Sequence, residues 1–188
     1  LHHDMGLVGH ILTPLWIGCR STIMDPLLFL QSPLRWLRRA GGEGATVTSA
    51  PNFAYQLCVR EAEAGADLAG IDLSSVTAAV CGGEPVWPDT VERFCAAFAP
   101  FGFNRGAFAP SYGLAEATLL VSSGRRRGGP LLFSGQVRDP EAAEGTKDIR
   151  SVVLGRPVSG VAIRIVGPDG RSVPDDTIGE IALSGSSV

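Results

Sequence analysis

Three short stretches of the chain combine residue types that could do chemistry. In "PSYGLAEATLL", residues 110–120, Tyr112 is a ring able to stack on a heteroaromatic base, and Gly113 beside it allows close approach. Glu116 follows shortly after, a hard oxygen ligand of the kind that holds Mg2+ carrying phosphates. In "CGGEPVWPDT", Gly82 and Gly83 precede Glu84 and Pro85, and two glycines let a backbone lie against a flat ligand because no Cβ intervenes. In "LHHDMGLVG", His2, His3 and Asp4 open a helix. Adjacent rings diverge and no Cys or acid at ligand spacing completes a zinc set, so the reading is a helix cap with one histidine turned into a cleft. His10 reads as a packed or surface histidine. Each stretch by itself also fits a plain structural role: a strand-to-helix turn, a core tyrosine, a solvated glutamate.

Other chemistries lack their residues. The single lysine, Lys147, rules out a G-x-x-x-x-G-K-[ST] phosphate loop within these residues, and no G-x-S-x-G elbow is present. Arg125, Arg126 and Arg127 read as a solvated loop, with a phosphate or acidic-protein contact as the alternative. A net charge of -3 offers no basic field for nucleic acid. Cys19, Cys58, Cys81 and Cys95 form no C-x-x-C pair, which suits buried thiols in a reducing compartment. No apolar run approaches the roughly 18–20 residues that span a bilayer, so no stable membrane insertion is expected. The first residues lack the basic start and apolar core of a signal peptide, and a cytoplasmic location is the default.

The elements that must position these residues follow from periodicity and punctuation. "DMGLVGHILTPLWIG" reads as a buried helix behind an Asp cap, and "STIMD" as a short strand. "SPLRWLRRAGG" has the start and stop of a short helix, and "ATVTSA" is a strand. "PNFAYQLCVREAEAG" is a helix with Phe53, Leu57 and Val59 turned inward. "VTAAVCGG" reads as a central strand buried on both faces, and "PDTVERFCAAFAPFG" as a further helix. This alternation predicts an α/β fold, a layered parallel-sheet subdomain with flanking helices. After Tyr112 come "LLVSSG", "PLLFSGQV", "SVVLG", "VAIRIVGPDG" and "TIGEIALSG", short strands with Gly, Pro and Asp turns that predict a smaller β-rich subdomain. "RDPEAAEGTKDI" reads as a polar loop without a period. Ligands of open α/β sheets sit at the carboxyl ends of strands, where "CGGEPV" and "PSYGLAEA" fall.

Taken in order and spacing, "HDMGLVG", "SPLRWL", "SAPNFAYQLC", "IDLSS", "GGEPV", "YGLAEATLLV", "LGRPVSGVAIRIV" and "IGEIALSG" resemble the adenylate-forming, acyl-activating enzymes, and more narrowly the fatty acyl-AMP ligases. Acyl-CoA synthetase relatives typically carry threonine at the position of Ala115 and a shorter link to the "GRP" segment. Here residues 119–150 intervene, similar to the insertion that marks the acyl-AMP ligases. The resemblance implies three parts: residues 1–118 as an α/β subdomain of the AMP-binding domain, 119–150 as the insertion, and 151–188 as a β-rich subdomain. It implies that Gly83, Glu84 and Pro85 form one wall of an adenine pocket. Ser111, Tyr112, Gly113, Leu114 and Ala115 would form the other. His3 would line the nucleotide and acyl cleft, Glu116 would hold Mg2+, and the helices around Leu7–Leu15 and Phe53–Leu57 would border an acyl tunnel.

The implied reaction joins a fatty acid to ATP, giving acyl-AMP and pyrophosphate, with transfer to an acyl carrier protein in polyketide, lipopeptide or lipid synthesis. The alternatives are an acyl-CoA ligase and a non-catalytic acyl- or nucleotide-binding module. In the family, a lysine-containing phosphate loop precedes these segments and a domain bearing the catalytic lysine follows them. Lys147, inside the insertion, does not replace that lysine. The expectation is an internal portion of the large N-terminal domain that does not adenylate alone.

Overall fold

The strand–helix alternation closes into one parallel layer. The computed structural model describes residues 2–188. β1 (Val47–Ala50), β2 (Ala78–Cys81) and β3 (Phe108–Gly113) run parallel, with Val47 beside Ala78 and Ala79 beside Phe108. β4 (Leu120–Ser123) pairs antiparallel with β3, and the two-residue β7 (Arg156–Pro157) extends the sheet in the order β1-β2-β3-β4-β7. The α/β expectation therefore holds.

One face of this sheet carries the core. Helices α4 (Leu34–Gly42), α5 (Asn52–Glu63) and α6 (Pro88–Phe98) cover it. α4 buries Leu34, Leu37 and Ala40, a three-residue spacing that makes one helical stripe and leaves Arg35 and Arg39 outside. Phe94 stands at the centre, its ring 4.9 Å from Tyr55, 4.7 Å from Phe98 and 5.0 Å from Phe103. The buried Tyr55 hydroxyl donates to the Val80 carbonyl of β2 at 2.9 Å, so the ring enters the core without an orphaned polar atom.

Several elements differ from the sequence reading. β2 is not buried evenly on both faces. Ala79 and Cys81 are buried against the helices, while Val80 and Ala78 are half-buried, because the other face borders a cavity rather than a helix layer. On α5 the buried positions are Asn52, Ala54, Tyr55, Cys58 and Val59. Val59 points inward as expected, but Phe53 is exposed and Leu57 half-buried, since they lie one stripe round the helix. Phe53 instead meets Phe29 edge-on, with 6.4 Å between centroids.

The stretch expected as one buried helix is three pieces: α1 (Asp4–Leu7), a π-helical turn (Val8–Leu12) and α2 (Thr13–Ile17). None of the three buries a residue, and Trp16 is 91% exposed. Apolar spacing reports which side chains share a face but not whether anything covers it. α2 stops at Gly18, whose φ of 72° places it in the left-handed conformation. "STIMD" forms no strand, having no partner to pair with. A helix the sequence reading passed over, α3 (Pro26–Gln31), follows instead, with Asp25 accepting from the Leu27 amide at 2.7 Å.

The polar loop is also more ordered than expected. β5 (Leu132–Arg138) and β6 (Thr146–Val152) form a hairpin in which Leu132 faces Val152 and Arg138 faces Thr146. "TKDI" is thus strand, and "SVVLG" contributes only its first two residues to one. The hairpin rests on α6: Arg150 pairs with Asp89 and, at 2.7 Å, with Glu92. Val152 reaches the main core. β8 (Val161–Val166) and β9 (Glu180–Gly185) make a second hairpin, with the expected "GPDG" turn closed by a 2.9 Å bond from the Gly170 amide to the Gly167 carbonyl.

Candidate functional site

Alternation along the strands decides what faces the cavity. Val47 and Ser49 of β1, Val80 of β2 and Ser111 of β3 turn away from the helices, and the α1–π-turn segment passes over them. Between them lies a cavity of about 170 Å³, at the carboxyl ends of the parallel strands. His3, Gly83, Ser111, Tyr112 and Gly113 all line it, so five of the sequence-predicted residues converge.

His3 occupies the N-cap position of α1 and faces Gly83. The Met5 amide lies 2.7 Å from Asp4 Oδ1 and 3.2 Å from His3 Nδ1, so the carboxylate is its better acceptor. His3 Nδ1 is itself 2.6 Å from Asp4 Oδ1, the arrangement of a ring N–H donating to a carboxylate. Asp4 thereby favours the tautomer that leaves Nε2 free on the cavity side. Gly83 has φ of 80°, and a Cβ there would stand 3.7 Å from the His3 ring.

The Tyr112–Gly113 wall is shaped by a register shift between β3 and β4 at these two residues. A Cβ on Gly113 would fall 1.8 Å from the Leu119 carbonyl, so only glycine permits this crossing. The loop beyond is tied shut by the Leu114 amide donating to the Leu119 carbonyl at 3.0 Å. It holds one 3-10 turn, Ala115–Ala117, and then Thr118 with φ 67° and ψ -49°. The Leu119 amide reaches the Ala117 carbonyl at 2.8 Å across Thr118, which makes a γ-turn of the strained hand. Ser111 Oγ is buried, 3.1 Å from both the Ala109 carbonyl and Ser123 Oγ.

The other predicted residues lie outside the cavity lining. Glu84 Oε1 accepts from the Phe53 amide at 2.6 Å, so its side chain caps the first turn of α5. Asn52 Oδ1 returns the contact by accepting from the Trp87 amide at 3.1 Å. Pro85 is exposed, Leu114 half-buried and Ala115 exposed. Glu116 is exposed at the loop's apex, with no ion pair or hydrogen bond to its carboxylate among the described residues. No group of three His, Cys, Asp or Glu able to hold a metal occurs among the described residues. One free carboxylate still suits Mg2+, which takes one or two protein carboxylates and completes its shell with phosphates and water. Of the helices expected to border an acyl tunnel, residues 7–15 contribute Gly9, His10, Thr13 and Pro14 to cavity walls, whereas Phe53–Leu57 touch neither cavity described here.

His10 was missed as a lining residue. Its Nε2 makes a short hydrogen bond with Ser49 Oγ, and burial lowers its pKa, keeping the ring neutral near pH 7. The available signal was its seven-residue spacing from His3, two helical turns on the same face. A second cavity, about 470 Å³, shares Gly9, His10 and Val47 with the first and runs on to Met24, Trp36 and Thr48. Thiol chemistry finds no support in the core: burial pushes Cys58 up to about 12 and Cys95 to about 11, and raises Cys81 as well.

Residues 1–188 match the sequence profile of the AMP-binding enzymes along their whole length. The chain belongs to the AMP-binding enzyme family. A Mycobacterium tuberculosis protein provisionally named fatty-acid–CoA ligase FadD21 is 41% identical over 196 residues, covering 100% of this chain and 33% of that protein. The medium-chain-fatty-acid–[acyl-carrier-protein] ligase JamA of Moorena producens is 40% identical over 190 residues, covering 95% of this chain and 32% of that protein. Among solved structures, a fatty acyl-adenylate ligase from L. pneumophila in complex with acyl adenylate and pyrophosphate superposes with a TM-score of 0.86 at 40% identity. That match covers 100% of this chain and 34% of the other. The chain thus spans about a third of the length of the relatives it matches.

Proposed function

We propose that this chain is the adenine- and acyl-binding part of a fatty acyl-AMP ligase. Its parent joins a fatty acid to ATP and passes the acyl group to a carrier-protein thiol of the kind used in polyketide, lipopeptide or lipid synthesis. The observation that carries the reading is the convergence of His3, Gly83, Tyr112 and Gly113 on one cavity at the carboxyl ends of β1, β2 and β3. Tyr112 and Gly113 give a flat base a stacking surface and a close backbone, and the Gly82–Gly83 turn gives the opposite wall. Glu116 would hold Mg2+, which when bound neutralises charge on the phosphates. His3, its ring turned by Asp4, would orient the acid where the cavity meets the nucleotide.

In the reaction a carboxylate oxygen attacks the α-phosphorus, the new O–P bond forms, and the bond to pyrophosphate breaks. The protein's part is positioning and charge neutralisation. The division we propose is 1–118 as the α/β subdomain, 119–150 as the insertion and 151–188 as the following β-rich part, although β4 of the insertion joins the main sheet and the β5–β6 hairpin runs on to Val152. The inserted hairpin and Ala115 favour acyl-AMP ligase. The name given to the FadD21 relative favours the second reading, an acyl-CoA ligase. No described helix is long and apolar enough to cross a membrane, which suits an enzyme meeting a carrier protein in the cytoplasm.

The test is to incubate the full-length parent with ATP, Mg2+ and fatty acids of graded length and to measure acyl-AMP by mass spectrometry. Acyl-AMP should form and move to a phosphopantetheinyl carrier protein, not to free coenzyme A. Efficient acyl-CoA formation selects the second reading. Absence of acyl-AMP with every acid defeats both.

A further inference from the structure

We infer that His10 and Ser49 form a recognition point for a hydroxyl group carried part-way along the acyl chain, so that hydroxy-acids are preferred substrates of this cleft. The inference rests on the proposed reading that the cleft takes a carboxylic acid.

The pair stands where an acyl chain would pass. His10 lines both cavities, and the two meet along Gly9, His10 and Val47. The first cavity is lined by apolar Val47, Val80 and Leu120 but also by polar Asp4, Ser111 and Ser123. The His10–Ser49 hydrogen bond stands at the seam between the two cavities, where the neighbouring lining residues Gly9 and Val47 bring no polar side-chain atom. A simple fatty chain is best served by an apolar residue there, and a valine or leucine would fill the position without a polar group to desolvate.

The hydrogen bond between them does not use up the pair. His10 Nε2 meets Ser49 Oγ, and among the described residues this is the ring's one hydrogen bond, leaving Nδ1 open to a ligand. Burial keeps the ring neutral, so one nitrogen carries a proton and the other a lone pair. If the serine hydroxyl donates to Nε2, then Nδ1–H is a free donor. If Nε2–H donates to the serine, Nδ1 is a free acceptor. A substrate hydroxyl satisfies either arrangement, because it both donates and accepts, whereas an oxo group suits only the first. An alkyl chain would displace water from the ring and leave a polar atom without a partner, the expensive outcome in a dry site.

Two further features hold the ring in place. His10 lies in the π-helical turn Val8–Leu12, an irregularity that shifts the following helix by a fraction of a turn and occurs often at functional sites. The His10 carbonyl also accepts from Ser21 Oγ at 2.6 Å, which ties the turn to the chain beyond Gly18. A bond from helix to β1 could serve only as a strut. A strut moves the melting temperature and treats all substrates alike, which gives the test its readout.

The experiment uses the full-length parent with a series of acids of one length: unsubstituted, hydroxylated at successive carbons, and carrying an oxo group at the same carbons. kcat/KM for pyrophosphate release is measured for each, together with the melting temperature. One hydroxylated position should exceed the unsubstituted acid by about tenfold, the size of one net hydrogen bond in a partly desolvated site. Both His10→Leu and Ser49→Ala should bring that ratio close to one, with His10→Leu improving the unsubstituted acid. The ratio is taken within each variant, so a partly unfolded sample does not alter it. If the parent activates acids but every hydroxy-to-unsubstituted ratio is near one, or the ratio survives both substitutions, the inference is wrong and the proposed function stands. If no acid is activated, both fall.

Discussion

Residues 4–31 and residues 34–113 both contribute walls to the same cavity, but they are held in opposite ways. The second region is fixed by a dense core, with Leu37, Tyr55, Phe94, Phe98 and Phe108 nearly or wholly buried. In the first, no helix buries a residue, and Leu15, Trp16, Ile17 and Leu27 are largely exposed. What ties it to the second is a small set of separate contacts: His10 to Ser49, Arg20 to Glu43 at 3.8 Å, and the Phe29 ring edge-on to Trp36 and Phe53. One wall of the cleft is therefore set by a continuous core and the other by a few separate contacts, of which the one at the cavity is the His10–Ser49 bond. Packing tolerates little change in shape, while directed bonds can be retuned one at a time. The wall expected to adjust to substrate is the N-terminal one.

The strongest way to break this contrast is to truncate one aromatic from each region. Phe94→Ala should cost about 3–5 kcal/mol of stability, because the space among Tyr55, Phe98 and Phe103 cannot collapse. Trp16→Ala should stay within about 0.5 kcal/mol. Urea unfolding of the 188-residue chain measures both, and comparable losses would abolish the distinction. A second pair sharpens it at the level of charge. Glu116→Gln should lower acyl-AMP formation by the parent about 100-fold, as loss of an electrostatic contact to the reacting phosphates does, with an unchanged melting temperature. Glu84→Ala should instead weaken α5 by about 1 kcal/mol, the worth of a helix cap, as read from urea midpoints.

The smallest expected effect is in pH. His10 is held below its ordinary value of 6.5 by burial, so the unfolded chain takes up its proton first as the pH drops. Stability from this group is complete above 6.5 and is lost as the pH falls from there through the folded-state value. His10→Gln, which keeps a partner for Ser49, should flatten that part of the stability–pH curve. An unchanged slope would mean that the ring is not the group titrating.

The packed region was the legible one. A near-continuous apolar run ending in glycines, Pro-started helices and a Gly-Gly stop placed β2, α4, α5 and α6 from the residues alone, with "ATVTSA" as β1 between them, because local preference and burial agree there. Residues 4–25 misled for a physical reason: an apolar stripe has the same spacing whether or not a partner covers it, and a strand needs a neighbour that "STIMD" lacks. α3 carried its own signal in Asp25-Pro26, a cap followed by a first-turn proline, which went unread. Of the residues that type, order and the family resemblance singled out, Tyr112, Gly113, Gly83 and His3 converge on one cavity. That the Glu84 side chain turns to the Phe53 amide, and that His10 reaches Ser49, depends on distances across the fold that spacing does not encode.

Thr118 carries a consequence of its own. A branched side chain at φ 67° is disfavoured by roughly 1–3 kcal/mol, and glycine would adopt the same turn freely. In a library of all substitutions sorted for thermal resistance, Thr118→Gly should be enriched. Sorted instead for acyl-AMP formation, it should be depleted, because the loop bearing Glu116 would gain freedom. Disagreement between the two selections at a single codon would mark threonine as kept for the reaction at the expense of the fold, and agreement would reduce the turn to a quirk of chain routing.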